Sequence, residues 1–349
     1  MKKVLNYLFA AAFVVVGCNN EHLDDVPIAD DAKKGALYLS VSDGNLFSKA
    51  SETSSVDYEK VVANVQVLVF DENDLLVAYH DAGTTLTNIT LYVAEGMKDV
   101  WAVVNGPSLT AISKKEQLLE YGITLDGSND LTGVKGFVMS GHASVNVSAL
   151  TPASANIIVE RLVSRVRLAN VSNDLPSAYS SLTVESVCLT NVVGNQNLSG
   201  TAVETVWYNR MGTSNGTQSM IIDGVTNMAE LPSYTFVGTD KSLSNGQSYA
   251  PGYYFYSYPN STAVDVDGWS DPFTARMSRL VLSVRIDGTL YYYPVVLNRK
   301  LERNKSYDVE VSIVSLGTTA PWEELKKGSI YCTITVKDWQ PGDSYSETI

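Results

Sequence analysis

The sequence predicts an all-β protein built from two β-sandwich domains in tandem, connected in Greek-key style and carrying few short helices. Three observations predict it. Runs with a two-residue apolar period recur along the chain, and Gly, Pro, Asn and Asp clusters separate them. The chain holds 20 Tyr against 3 His, and aromatic and β-branched residues fit a pleated, half-buried surface. Helix signals are scarce: only Ser113 to Tyr121 reads well, with Ser113 as N-cap, Glu116 as capping-box partner and Gly122 as stop. The 349 residues suffice for two ordinary cores, and 45% apolar with 18% charged residues marks a globular chain.

The elements follow in order. Ala36 to Ser42 reads as a first strand with Leu37, Leu39 and Val41 on one face. The polar stretch Phe47 to Ser55 has the composition of a protease-accessible loop. Val61 to Phe70 is a strong strand closed by the turn-rich Asp71-Glu72-Asn73-Asp74. Leu75 to Tyr79, Thr87 to Val93, Val100 to Val104 and the short Phe137 to Gly141 follow. Asn156 to Asn170 reads as one long strand with Ile158, Glu160, Leu162, Ser164, Val166 and Leu168 on one side and Arg161, Val163, Arg165 and Arg167 on the other. Ser181 to Thr190, Gly252 to Tyr258, Arg279 to Ile286, Leu290 to Val296, Ser306 to Ile313 and Ser329 to Val336 complete the set. Asp287-Gly288 predicts a tight hairpin between two of them. The division into domains is 36–155 and 156–349.

The N-terminus sets the compartment. Lys2 and Lys3 precede a short apolar stretch, Val4 to Val16, and Gly17-Cys18 closes it. The stretch is too short for a stable membrane anchor and has the form of a secretory signal. Two readings stand. Cys18 is the lipidated first residue of a bacterial lipoprotein box, or the segment is an ordinary signal peptide with an incidental cysteine. Residues 19–35 are polar and acidic and read as a tether.

Composition and motifs exclude several functions. A net charge of −13 argues against nucleic acid and against electrostatic binding to anionic lipid. His22, His80 and His142 have no second ligand at metal spacing. No nucleophile elbow or phosphate loop occurs, so no catalytic residue, cofactor or metal site is assigned. Asp265, Asp267 and Asp271 around Gly268 have a slight look of a calcium loop, set against a plain polar turn. Tyr253 to Tyr258 and Tyr291 to Tyr293 alternate as core-filling strands do; the competing reading is a sugar-stacking platform. Cys188 and Cys332 either pair in an oxidising compartment or lie as buried thiols.

A resemblance joins these features. The lipoprotein box, the first strand, the basic residue in the loop after it, the Val159-Glu160-Arg161-Leu162-Val163-Ser164-Arg165-Val166 run and Arg303-Asn304-x-x-Tyr307-x-Val309-x-Val311-x-Ile313 resemble the fimbrillin family of Bacteroidetes. Val336-Lys337-Asp338-Trp339 is similar to that family's last core strand. The family contains major and minor fimbrial subunits, and its members imply transthyretin-like sandwiches, a lipidated precursor and outer-membrane export. The resemblance further implies a surface protease of basic-residue specificity that cuts after the first strand. The strand then leaves, and the C-terminal segment of another subunit fills the groove as a donor strand.

Carried onto this chain, lipidation falls at Cys18 and cleavage between Lys49 and Ala50. The displaced strand carries Leu37, Leu39 and Val41, and the donor carries Ile330, Cys332, Ile334 and Val336 within 329–349. No Arg precedes Arg161, so a protease that prefers Arg does not fit this cut. The segment 1–49 holds five Lys and six acidic residues, so cleavage would leave 20 basic and 32 acidic residues, a net of −12. The partners are then copies of the chain, other fimbrial subunits, the protease and, for the precursor, the outer membrane. Three roles compete: a fimbrial shaft subunit, a lipid-held anchor or tip subunit, and a surface glycan-binding lipoprotein.

Overall fold

The computed structural model describes residues 33–43, 57–125, 136–179, 181–201, 204–214, 217–221, 236–262, 277–297, 300–339 and 344–348. Within them the chain is built from strands and a few short helical turns, as the periodicity predicts.

The N-terminal half contains β1 (Lys34–Ser42), β2 (Val65–Phe70), β3 (Leu76–Asp81), β4 (Ile89–Ala94), β5 (Gly96–Val104), α1 (Lys115–Leu119), β6 (Gly122–Thr124), β7 (Met139–Val147), β8 (Ala153–Ile158) and β9 (Glu160–Arg161). A 3-10 turn, Asp57–Lys60, precedes β2. Two sheets face each other, one ordered β4-β1-β8 and the other β3-β2-β5-β7-β9. Between them lies a core of Leu37, Leu39, Val41, Val65, Val67, Val69, Val93, Val100, Val104 and Ile157.

Strand β2 is buried on both faces, which explains its nearly unbroken apolar run. Its second face, Leu68 and Phe70, meets Val103, Leu109 and Leu118. The one polar residue there, Gln66, is satisfied: its Nε2 donates to the Pro107 carbonyl at 2.8 Å, and its Oε1 accepts from Leu109 N–H at 2.9 Å and the Tyr79 hydroxyl at 3.0 Å.

Helix α1 is shorter than its capping signal predicts and is capped by a different residue. Gln117 Oε1, one position beyond Glu116, accepts from Ser113 N–H at 2.8 Å, the Ser113 hydroxyl at 3.0 Å and Lys114 N–H at 3.1 Å. A side-chain amide thus takes orphan donors at the start of the helix.

The second half contains β10 (Ser164–Asn173), β11 (Leu182–Thr190), β12 (Val192–Val193), β13 (Asn195–Asn197), β14 (Trp207–Tyr208), β15 (Arg210–Ser214), β16 (Thr217–Ile221), β17 (Phe236–Leu243), β18 (Ser248–Tyr249), β19 (Tyr253–Ser257), β20 (Arg279–Ile286), β21 (Thr289–Val296), β22 (Lys305–Ile313), β23 (Ile330–Asp338) and β24 (Ser344–Thr348). One sheet runs β18-β10-β22-β23-β24 with β19 also on β10, and the facing sheet runs β17-β11-β20-β21. The β20–β21 hairpin turns on Asp287 and Gly288, both at positive φ (45° and 85°), as an Asp-Gly type I′ loop requires.

The long strand expected over Asn156 to Asn170 is three strands. The chain leaves one sandwich and enters the other there: Val159 N–H donates to the Ser42 carbonyl at 2.8 Å, and the Val163 carbonyl accepts from Asn304 N–H at 2.9 Å. Strands β8 and β9 lie in the N-terminal sheets and β10 opens the C-terminal one. A further pairing, β6 with β13, ties the two halves together.

Candidate assembly site

The first strand occupies an unusual position. Strand β1 lies between β4, which it pairs antiparallel from Lys34↔Ala94 to Leu39↔Ile89, and β8, which it pairs parallel from Leu37↔Ala153 to Ser42↔Ile158. Leu37 and Leu39 are 0% and 2% exposed, whereas Tyr38, pointing the other way, is 46% exposed. The inward series continues at both ends with Gly35 and Asp43, each buried. Gly35 has no room for a side chain, since a Cβ there would stand 2.2 Å from the Ser148 carbonyl oxygen. The three aliphatic side chains together contribute roughly 5–9 kcal/mol of burial. Loss of β1 would open a slot between β4 and β8, facing the core residues Val67 and Val100 of the opposite sheet and edged by two unpaired backbones.

Beyond β1 the chain reaches a buried charged cluster. Glu59, in the 3-10 turn, accepts from Arg165 Nη1 at 2.9 Å and from the Tyr256 hydroxyl at 2.6 Å. Its backbone carbonyl accepts from Arg161 Nη2 at 2.7 Å. Both guanidiniums lie 4.9 Å from the Trp339 ring centroid, and Phe137 packs on Tyr256 and Trp339. Burial pulls the Arg161 guanidinium down to about 10, against the supporting charges of Glu59 and Asp43. Nothing in the sequence marks Glu59 for this part, because the residues around it show no strand or helix period.

The Arg303-Asn304-x-x-Tyr307 motif is a structural hook. Arg303 Nη2 donates to the carbonyls of Ser140 at 3.1 Å and Glu160 at 3.0 Å, reaching from one sandwich to the other. Asn304 sits at φ 57°, and its carbonyl accepts from Trp339 N–H at 2.9 Å. The Tyr307 hydroxyl donates to the Lys300 carbonyl at 3.0 Å and accepts from Glu302 N–H at 2.9 Å, closing the corner into β22.

The C-terminal segment divides in two. Ile330, Cys332, Ile334 and Val336 lie on β23, which pairs with β22 from Ile313↔Ile330 to Lys305↔Asp338. Cys332, Ile334 and Val336 are buried in the C-terminal core, so in this conformation they complete their own sandwich. Among the described residues strand β24 pairs only with β23, from Thr333↔Thr348 to Lys337↔Ser344, and stands at the end of its sheet.

The remaining sequence candidates fall as follows. Cys18, Lys49 and Ala50 lie outside the described residues, as do His22, Asp265, Asp267 and Asp271. Cys188 and Cys332 are both free and buried, and burial pushes each thiol up to about 12. Tyr256, Tyr258 and Tyr293 are buried core residues, and Tyr254 lies under Arg165 and Arg167. The stretches therefore serve packing far more than a sugar platform. His142 stacks on Trp101 at 4.6 Å and its Nδ1 lies 3.0 Å from Asp99. Among the described residues no group of three or more His, Cys, Asp or Glu has metal-site geometry.

No protein-family profile matches the sequence, and no curated protein matches it either. Solved structures do. A protein assigned to cell adhesion from Bacteroides eggerthii DSM 20697 superposes with a TM-score of 0.60 at 17% identity, covering 88% of this chain and 97% of that one. A fimbrilin (FimA) from Porphyromonas gingivalis W83 gives 0.58 at 13% identity, over 88% and 98% of the two chains. The tip fimbrial protein Mfa3 of Porphyromonas gingivalis, with a C-terminal truncation, gives 0.50 at 15% identity, over 88% and 100%. The chain has the fold of these fimbrial and adhesion proteins. The likeness covers 88% of this chain in each case, so it extends over both sandwiches.

Proposed function

We propose that this chain is a structural, non-enzymatic subunit of a cell-surface fimbria of the fimbrillin type, assembled by strand exchange and supporting adhesion. One observation carries the reading: β1 lies between two strands over an apolar core, yet it is the first described strand of the chain. A single cut in the segment that follows frees it without severing either sandwich. The structural likeness to fimbrial proteins supports the same reading.

In this scheme the precursor carries lipid on Cys18 at the outer membrane, and a surface protease cuts between Lys49 and Ala50. Departure of β1 leaves the slot open, and the C-terminal segment of a second subunit, within 329–349, adds as a strand. The edge strand β24 detaches at lower cost than β23. Withdrawal of β23 breaks its ladder to β22 and uncovers Cys332, Ile334 and Val336. The contact runs head to tail and does not close, so it grows a filament.

The test is the N-terminus of the chain on the cell surface, read by intact mass and terminal sequencing of sheared material. A chain starting at Ala50 is expected. A chain starting only at acylated Cys18 removes the shaft role and leaves an uncut anchor subunit.

A further inference from the structure

The strand that fills the slot has a second version in the same chain. Residues 33–42 read Lys-Lys-Gly-Ala-Leu-Tyr-Leu-Ser-Val-Ser, and residues 326–335 read Lys-Lys-Gly-Ser-Ile-Tyr-Cys-Thr-Ile-Thr. Four of the ten positions are identical: Lys33 with Lys326, Lys34 with Lys327, Gly35 with Gly328 and Tyr38 with Tyr331. The other six exchange like for like. Ala36 becomes Ser329, Ser40 and Ser42 become Thr333 and Thr335, and Leu37, Leu39 and Val41 become Ile330, Cys332 and Ile334.

The match extends to which side chains face in. Leu37, Leu39 and Val41 are buried on β1, as Cys332 and Ile334 are on β23. Tyr38 and Tyr331 point outward, 46% and 64% exposed. The hydroxyls of Ser40 and Ser42 donate to Asn156 Oδ1 on β8 at 2.9 and 3.4 Å, and threonine hydroxyls at the same places keep that donor.

Gly35 decides where such a strand must sit. A Cβ there would stand 2.2 Å from the Ser148 carbonyl oxygen and 2.7 Å from Val147 Cγ1. The first obstacle is backbone and the second is a packed core side chain, so neither yields cheaply. Gly35 does not have a positive φ, so its constraint is space. Strands β4 and β8 pair with β1 in opposite senses, so backbone ladders alone admit either direction. A slip by two also keeps the inward face inward. The gate at Gly35 rejects these alternatives. A slip of 326–335 by two brings Lys326 or Ile330 against Ser148. Reversal with the same apolar face inward brings Val336 there, and reversal with Gly342 at the gate buries Gln340 and Asp338.

We propose that 326–336 of a second copy is the strand that replaces β1, in the same direction and register, with Gly328 against the Ser148 carbonyl. This rests on the strand-exchange reading and names its donor. Strands β23 and β24 stand last in their sheet, so they peel from its end as a pair and leave the β10–β22 ladder in place. The apolar face of β23 then passes from one core to another.

The experiment uses the full chain with the recognition site of a sequence-selective protease inserted between Lys49 and Ala50. One cut is made there, and synthetic peptides are added as probes. Native mass spectrometry reads the exchange of the β1 fragment for peptide. A peptide of 326–336 is expected to enter, as is the control peptide of 33–43, whereas a peptide of 340–349 should not. The 326–336 peptide carrying Gly328→Asn should enter about tenfold less well, the scale of an overpacked site. In the cut chain itself Gly328→Asn should slow polymer growth, read by light scattering, by about tenfold. Asparagine tolerates the left-handed φ of 83° that Gly328 has before β23, so this variant spares the turn.

Equal entry of the Gly328→Asn peptide overturns the gate. Entry of 33–43 without entry of 326–336 overturns the proposal and leaves strand exchange standing with another donor. If neither peptide enters and the cut chain does not polymerise, strand exchange itself fails and the proposal falls with it.

Discussion

Truncating Leu39 to Ala tests whether β1 is held as a separable element. Leu39 is 2% exposed and packs in the core between the two N-terminal sheets. A Leu→Ala change at such a site costs about 3 kcal/mol, from lost transfer energy and the cavity left behind. If β1 opens locally, its opening constant should rise about a hundredfold, at 1.4 kcal/mol per factor of ten. Hydrogen exchange with peptide-level mass analysis reads this directly. The amides of 34–42, and their partners on β4 and β8, should exchange about a hundredfold faster, while those of β20 and β22 keep the wild-type rate. Tyr38→Ala is the control: its side chain points outward, and the change should shift the same amides by about twofold. An increase below about threefold in Leu39→Ala, or an equal effect from Tyr38→Ala, would refute the reasoning.

Three further outcomes follow from the geometry. Glu59→Gln should cost about 3–5 kcal/mol, because Arg165 loses its buried counter-charge; an unchanged urea midpoint would contradict this. At Asp99, burial raises the carboxyl, but hydrogen bonds from Lys115, Trp101 and His142 outweigh it and hold the group below its ordinary 3.8. Its contribution is therefore complete above that value and lost as pH falls through the lower folded value. Asp99→Asn should cost stability at neutral pH and flatten the acid limb, the two proteins converging below the folded value; a loss that persists undiminished at that low pH would refute the assignment. Cys188 and Cys332 should resist a thiol reagent in the native chain and react on unfolding; labelling of either site without denaturant would show that the core is open.

Much of the fold is legible in local pattern. The alternation of Leu37, Leu39 and Val41 states which face of β1 is buried, and Asp287-Gly288 states its hairpin, because both depend on neighbours within a few residues. The helix at Lys115–Leu119 was legible in kind, although Gln117 supplies the cap that the spacing assigns to Glu116. The same alternation runs without a break through Val159 and Val163, where the chain in fact changes sandwich. Only the distant partners Ser42 and Asn304 interrupt it.

By itself the sequence determined which residues alternate, where turns fall and that the chain is all-β, since periodicity and turn chemistry are properties of adjacent residues. Tertiary structure decided the rest. Val336 and Leu39 belong to the same pattern, yet one completes its own sandwich on β23 and the other lies on the first strand, between β4 and β8. Arg161 and Glu59 meet across 102 residues, and burial makes their charges consequential. No local pattern encodes which charge will be taken out of water with which partner, because that depends on how the whole chain closes around them.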